Sequence, residues 1–297
     1  MKVERDFSCS AFLILHFHNT LFNGSVNWKR ILIGTWSWKR PFISLGSIYV
    51  LLCIIALTCA DRLIFLPPTP SYSETLPGYI KIDSKNAKPV AAIHLKAKPN
   101  APTIIYSHGN AEDIGGYNID LFETLHDRGF GVIAYDYPGY GLTPGRSTEA
   151  TTQQAIKSAW DYAIKSGISP SSIVIVGRSI GTGPSVWLAS QTKPAGLILI
   201  APFKSAYSVP FKYPIFPSDL FPNYKRIADI HTPLLVIHGE MDEVIPFSHG
   251  QAIYENSPAS NKLLVPIKNS GHNDLFDNAS DQIFDSMTEF IHQLPKA

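Results

Sequence analysis

The run Ile173-Val174-Ile175-Val176-Gly177-Arg178-Ser179-Ile180-Gly181 constrains this chain more than any other stretch. Four β-branched residues in a row read as a strand buried on both faces. Gly-x-Ser-x-Gly follows at once, and Pro184 to Ala189 continues as an apolar, helix-compatible stretch. Strand, sharp turn and helix in that order form a nucleophile elbow, which lifts one serine out of the end of a sheet. Glycine on both flanks lets neighbouring backbone pass close to the turn. Ser179 is therefore the expected nucleophile. The same letters also suit a plain strand-to-helix turn with a spectator serine, so the reading depends on partner residues elsewhere.

The sequence around the elbow predicts a layered α/β domain. Thr103 to Tyr106, Gly131 to Tyr135, Gly196 to Ile200, Leu234 to Ile237 and Lys262 to Val265 read as strands. Ile114 to Arg128 reads as a helix. Thr151 to Lys165 reads as an amphipathic one, with Ala155, Ala159, Trp160 and Ala163 on one face, and a closing helix spans about Asp281 to Gln293. Apolar strands alternating with helices imply a mostly parallel sheet with helices on both faces. Such sheets bind ligands beyond the carboxyl ends of their strands, so chemistry is expected there.

A serine hydroxyl needs a histidine base, and the histidine needs a carboxylate to fix its tautomer. On this architecture they follow in the order serine, acid, histidine. The strand ending at Ile237 leads into His238-Gly239-Glu240-Met241-Asp242-Glu243, which puts Asp242 in the following loop, with Glu240 and Glu243 as alternatives or Asp242 as a mere helix cap. The last strand leads into Asn269-Ser270-Gly271-His272-Asn273-Asp274, which puts His272 where the base belongs. Asp274 reads as a helix cap or a support of that loop. His108 and His238 each precede a glycine and read as turn-shaping residues. Two backbone donors are required for a tetrahedral oxyanion. Ile180 N–H follows the nucleophile. The second belongs to the loop Ser107-His108-Gly109-Asn110-Ala111, with Asn110 chosen and Ala111 the runner-up.

Charged residues make up only 16% of the 297-residue chain, against roughly 25% in ordinary soluble domains. The deficit points to a membrane segment. Residues 42–60 are uncharged and nearly all apolar, about the roughly 20 residues a spanning helix needs. Lys29, Arg30, Lys39 and Arg40 precede it and Arg62 follows, which predicts a single pass with the N-terminus in the cytoplasm. Trp28, Trp36 and Trp38 suit an interfacial belt. A cleaved signal peptide and a hairpin within one leaflet are the alternatives. The layout is then 1–41 as a cytoplasmic or interfacial segment, 42–60 as the span, 61–77 as a proline-bearing linker and 78–297 as the catalytic domain.

The formal net charge of +1 gives no electrostatic case for nucleic acid. All three cysteines, Cys9, Cys53 and Cys59, precede residue 61, so the domain has neither a disulfide framework nor a thiolate metal site. His16 and His18 form a pair without a third ligand. No metal and no cofactor is expected, and the partners are a lipid, acylated or small-molecule substrate and the bilayer.

With these residues in place the chain resembles the α/β-hydrolase fold serine hydrolases over about residues 63–293. The carriers are Ser107 to Ala111, Tyr135-Asp136-Tyr137-Pro138-Gly139-Tyr140-Gly141, Gly177 to Gly181, His238 to Ile245 and Gly271 to Asp274. More closely, Phe65-Leu66-Pro67-Pro68, Phe247-Ser248-His249-Gly250 and Gly271 to Asp274 are similar to the membrane-associated depalmitoylases called α/β-hydrolase domain-containing 17. That resemblance implies a triad on Ser179, Asp242 and His272 and an acyl-protein thioester as substrate. Those proteins carry a cysteine-rich lipidated tail on the cytosolic face, whereas here one cysteine, Cys9, precedes an apolar span.

Between the strands ending at Ile200 and beginning at Leu234 lies a short cap with Tyr207, Phe211, Tyr213, Phe216, Phe221 and Tyr224. An aromatic rim suits an acyl chain; the same rings could also just pack the loop on the sheet. The expected activity is cleavage of carboxylic esters or thioesters through an acyl-enzyme. A peptidase or amidase would use the same triad, and a catalytically dead binding module would keep the same fold.

Overall fold

The computed structural model describes residues 38–84, 88–211 and 213–295. The chain divides into two units, Met1–Leu52 and Cys53–Ala297. Helix α1 (Arg40–Ile64) begins in the first and is long and apolar enough to cross a membrane. Most of the segment expected to precede the span, with Trp28, Trp36, Lys29, Arg30 and the histidine pair, lies outside the described residues.

The second unit is built on an eight-stranded sheet among the described residues, in the order β1-β2-β4-β3-β5-β6-β7-β8. Its strands are β1 (Tyr79–Ile82), β2 (Val90–Leu95), β3 (Thr103–Ser107), β4 (Gly131–Tyr135), β5 (Ile173–Arg178), β6 (Gly196–Ile200), β7 (Leu234–Gly239) and β8 (Lys262–Ile267). Strands β3 to β8 pair in parallel, while β2 runs antiparallel to both β1 and β4. Strands β3 to β7 are buried at every position and mostly apolar because both faces are covered. Ile105, Ile175 and Leu199 enter one core with α3 (Glu149–Lys165) and α4 (Thr182–Gln191). Their neighbours Ile104, Val176 and Ile200 enter the other with α2 (Asn118–Asp127) and α7 (Leu275–His292).

Helix boundaries depart from the periodic pattern where side chains cap or block them. Helix α3 starts before Thr151 because Thr148 and Thr151 form a reciprocal cap. Helix α2 starts after Gly116, whose φ of 56° is left-handed, and the Asp113 carboxylate holds the Gly115 N–H in a turn instead. Helix α7 begins six residues early, with a break at Ala279. The antiparallel strands β1 and β2 show too little periodicity in the sequence to stand out. Helix α6 (Phe247–Asn256) does not stand out in the sequence either, because Gly250 interrupts its pattern. A Cβ at Gly250 would lie 2.4 Å from His238 Nδ1, so close packing demands the glycine there.

Among the described residues, the cap between β6 and β7 holds one short helix, α5 (Asn223–Ile227). Its rings divide between two jobs. Phe221 is fully buried in the core, whereas Tyr213 is 70% exposed. Tyr207 and Phe211 stack edge-on against Phe216 with centroids 5.3 and 5.6 Å apart.

Candidate active site

Strand β5 delivers Ser179 to the sheet's carboxyl end. The serine has a φ of 51°, a left-handed conformation that costs a non-glycine residue energy and persists only where its surroundings impose it. They do so by contact: a Cβ on Gly181 would sit 2.2 Å from Ser107 O, and one on Gly177 would sit 2.5 Å from Gly181 O. The two motif glycines therefore let the elbow press against itself and against the loop after β3.

The loops after β7 and β8 bring the expected partners to the serine. Ser179 Oγ lies 2.9 Å from His272 Nε2. His272 Nδ1 lies 2.7 Å from Asp242 Oδ2. The other carboxylate oxygen, Oδ1, accepts the N–H groups of Val244 at 2.9 Å and Ile245 at 2.6 Å. One oxygen thus shapes its own loop while the other faces the imidazole. Glu240 and Glu243 stay exposed, and Asp242 is the buried acid of the three. The two loops are tied together by Met241 N–H on Ser270 O at 3.0 Å. Asp274 supports the histidine loop: its Oδ1 accepts Gly271 N–H at 2.7 Å, and its side chain does not cap α7.

Burial opposes ionisation of Asp242, but hydrogen bonds from His238, His272 and Ile245 N–H outweigh it and hold the carboxyl well below the usual range. His238 does more than shape a turn. Its Nε2 contacts Asp242 Oδ2 at 3.3 Å and Ile245 O at 2.8 Å. His108 is similarly placed beside a buried carboxylate, with Nε2 3.4 Å from Asp136 Oδ1. Asp136 also accepts the Ile114 N–H at 3.0 Å, and Tyr137 OH donates to His108 O at 2.6 Å. The Tyr135 to Gly141 stretch therefore braces the loop after β3 from below.

In that loop the Asn110 side chain is fully engaged. Oδ1 accepts Ala111 N–H at 3.0 Å, Leu66 N–H at 3.0 Å and Tyr140 OH at 2.6 Å. Nδ2 donates to Ile64 O at 2.6 Å. The runner-up donor, Ala111 N–H, is thus already taken. A buried pair locks the same loop to the elbow. Arg178 Nη1 meets Glu112 Oε1 at 2.9 Å, and Glu112 Oε2 accepts Gly109 N–H at 3.2 Å. The guanidinium is centred 5.3 Å from the Phe276 ring and 5.6 Å from that of Tyr117. The residues singled out from sequence did not include Arg178, Glu112 or the His238 contact. The His-x-x-x-Asp spacing of 238 and 242 was the one available signal. Among the described residues no group of three His, Cys, Asp or Glu is arranged to hold a metal ion.

Comparison with known proteins bears on this geometry. A family described as serine aminopeptidase, S33, matches residues 98–215. Human alpha/beta hydrolase domain-containing protein 17B is 32% identical over 269 residues, covering 79% of this chain and 91% of that protein. Mouse alpha/beta hydrolase domain-containing protein 17C is 38% identical over 202 residues, covering 66% of this chain and 61% of that relative's length. Among solved structures, the esterase Pf2001 of Pyrococcus furiosus superposes with a TM-score of 0.64 over 78% of this chain and 98% of its own. Its identity is 17%, a likeness of fold alone.

Proposed function

Because the chain belongs to the α/β-hydrolase domain-containing 17 family and is a serine hydrolase, we propose that it cleaves acyl esters or thioesters at a membrane through Ser179, His272 and Asp242. The supporting observation is the unbroken hydrogen-bonded chain from Ser179 Oγ through both ring nitrogens of His272 to a buried, ionised Asp242. Ser179 Oγ attacks the acyl carbonyl as His272 Nε2 takes its proton. The N–H groups of Asn110 and Ile180 receive the oxyanion. His272 returns the proton to the departing alcohol or thiol, leaving an acyl-Ser179 ester. Water then attacks that ester, with His272 again as base, and releases the carboxylic acid. Asp242 holds the His272 Nδ1–H and stabilises the imidazolium without itself taking the proton.

An acyl-protein thioesterase, the activity the family resemblance implies, is the alternative reading, and it goes with a membrane-associated catalytic domain facing the cytosol. In the main reading, helix α1 serves as a single-pass anchor, with Lys29, Arg30, Lys39 and Arg40 on the cytoplasmic side and the catalytic domain on the other. The layout is a segment 1–41, a span at 42–60, a linker at 61–77 and a hydrolase domain at 78–297. Amide cleavage is the competing activity, since the matched family carries an aminopeptidase name.

The test is labelling of the full chain by a fluorophosphonate probe, beside its Ser179→Ala variant. Wild-type labelling lost in the variant is the expected result; a folded wild type that does not label would overturn the assignment. Matched oxyester, thioester and aminoacyl-amide substrates then separate the activities. Turnover of the thioester or oxyester without the amide is expected.

A further inference from the structure

The exit of α1 from the membrane is bound to the rim of the site. Asn110 grips both sides of that exit, through Ile64 O at 2.6 Å and Leu66 N–H at 3.0 Å. Phe65 between them is buried, with its ring 6.5 Å from Tyr140 and 6.2 Å from Phe221. About two turns back along α1, Tyr207 OH of the cap donates to Ala56 O at 2.7 Å. Ala56, Ala60 and Ile64 recur at helical spacing on this docked side, while Leu57 and Leu63 are 63% and 70% exposed.

Helix length makes this contact informative. The apolar stretch before Ala56 begins at Phe42 and amounts to roughly 20 Å of helix, short of the roughly 30 Å of a hydrocarbon core. A spanning α1 must therefore carry Ala56 inside the core, about 5–10 Å from the border that Asp61 and Arg62 mark. The Tyr207 hydroxyl, bonded to Ala56 O, shares that depth, while its backbone N–H stays with Asp219 nearer the headgroups. The cap turn is built for such a place. From Ser205 to Phe211 every backbone N–H has a partner within the protein. Ser205 N–H donates to Ser208 Oγ at 3.0 Å, Tyr207 N–H to Asp219 Oδ1 at 2.9 Å, and Ala206, Ser208, Val209 and Phe211 to backbone carbonyls. Pro210 has no N–H to satisfy. Paired donors lower the cost of placing such a turn at the headgroup–acyl boundary, where water is scarce and the carbonyls can still reach it. Ala206 to Phe211 carries no formal charge. The Asp219 carboxylate belongs with the headgroups and sets the outer limit of immersion.

We propose that the cap turn Tyr207–Phe211 is immersed in the leaflet through which α1 leaves the bilayer, so that the site takes acyl chains directly from that leaflet. The inference rests on the reading of α1 as a membrane span and deepens the proposed activity. Substrate is then an ester or thioester whose chain stays in lipid while its carbonyl, at the headgroup border, meets Ser179. The Asn110 grip holds the expected oxyanion loop at that border.

The full chain, with Cys9, Cys53 and Cys59 replaced by Ser, carries a bimane label at Pro210→Cys, at Ser208→Cys, or at Ser166→Cys on the C-terminal end of α3, the far end of the sheet. Each is placed in phosphatidylcholine nanodiscs with and without lipid bearing a nitroxide at the fifth acyl carbon. Quenching of about twofold or more at 210 or 208, with none at 166, is expected from immersion of this depth. No quenching at either cap position, or equal quenching at all three, would overturn the proposal. Fluorophosphonate labelling of the same samples is read separately. Labelling without cap quenching leaves the hydrolase assignment standing and sinks the immersed cap. Cap quenching without labelling does the reverse.

Discussion

His238 Nε2 stands 3.3 Å from the Asp242 Oδ2 that His272 Nδ1 approaches to 2.7 Å, so two histidines hold one carboxylate oxygen. The second histidine comes from the end of β7, and its other ring nitrogen packs against Gly250 of α6 with no room for a Cβ between them. The acid is thereby fixed from the sheet side, and the base approaches from the open side. His238→Leu removes a hydrogen bond to a buried charge. It is expected to lower stability by about 2 kcal/mol, read by urea unfolding, with esterase kcat reduced and substrate KM little changed. An unchanged kcat would remove His238 from the positioning of Asp242.

Asp242→Asn keeps an oxygen for the Val244 and Ile245 N–H groups, so the loop is expected to hold. The amide nitrogen would then face His272 Nδ1 and force the wrong tautomer. The expected kcat on a soluble aryl ester falls by about 10³–10⁴, with a melting temperature much less affected. A loss of tenfold or less would point to Glu240 or Glu243 as the working acid.

The Arg178–Glu112 pair ties the elbow to the loop after β3, with both side chains largely buried. Breaking such a pair from one side leaves an uncompensated charge. Arg178→Met alone is expected to cost about 3–5 kcal/mol, measured by chemical unfolding. The double variant Arg178→Met, Glu112→Gln is expected to recover much of that stability. A double variant no better than the single one would show that the charge pairing is not what matters there.

Two groups give stability an acid-side slope. Burial first, then Lys204 and His238, hold His249 down to about 4. The unfolded chain, with histidine near 6.5, binds that proton first, so stability falls as pH drops from about 6.5 towards 4. Asp242, held low, adds a second loss only below about pH 4, where unfolded aspartate begins to protonate. Melting temperatures across this range are expected to fall in that order. His249→Gln is expected to flatten the upper step and leave the lower one; a profile unchanged by it would exclude His249 as the source.

The central sheet was legible because its strands are buried on both faces. Runs such as Ile173 to Val176 and Leu234 to Ile237 admit few other readings, and Ser179, Asp242 and His272 could be placed by loop position and chain order alone. The antiparallel pair Tyr79–Ile82 and Val90–Leu95 was not, because it is short and partly alanine. The helix at Phe247–Asn256 was hidden by a glycine whose reason is a histidine on another strand.

By itself, then, the sequence determined the layered α/β class, the apolar stretch within helix α1, and the three residues whose oxygen and nitrogen atoms line up in the site. These follow from local pattern and chain order. Tertiary structure alone decided what supports them. Arg178 on Glu112, His238 on Asp242, Asn110 on Ile64 and Tyr207 on Ala56 join residues from 4 to 151 positions apart. The physical reason is that a buried donor or charge must find its partner in space. Nothing in the residues adjacent to it in the chain says which partner that will be.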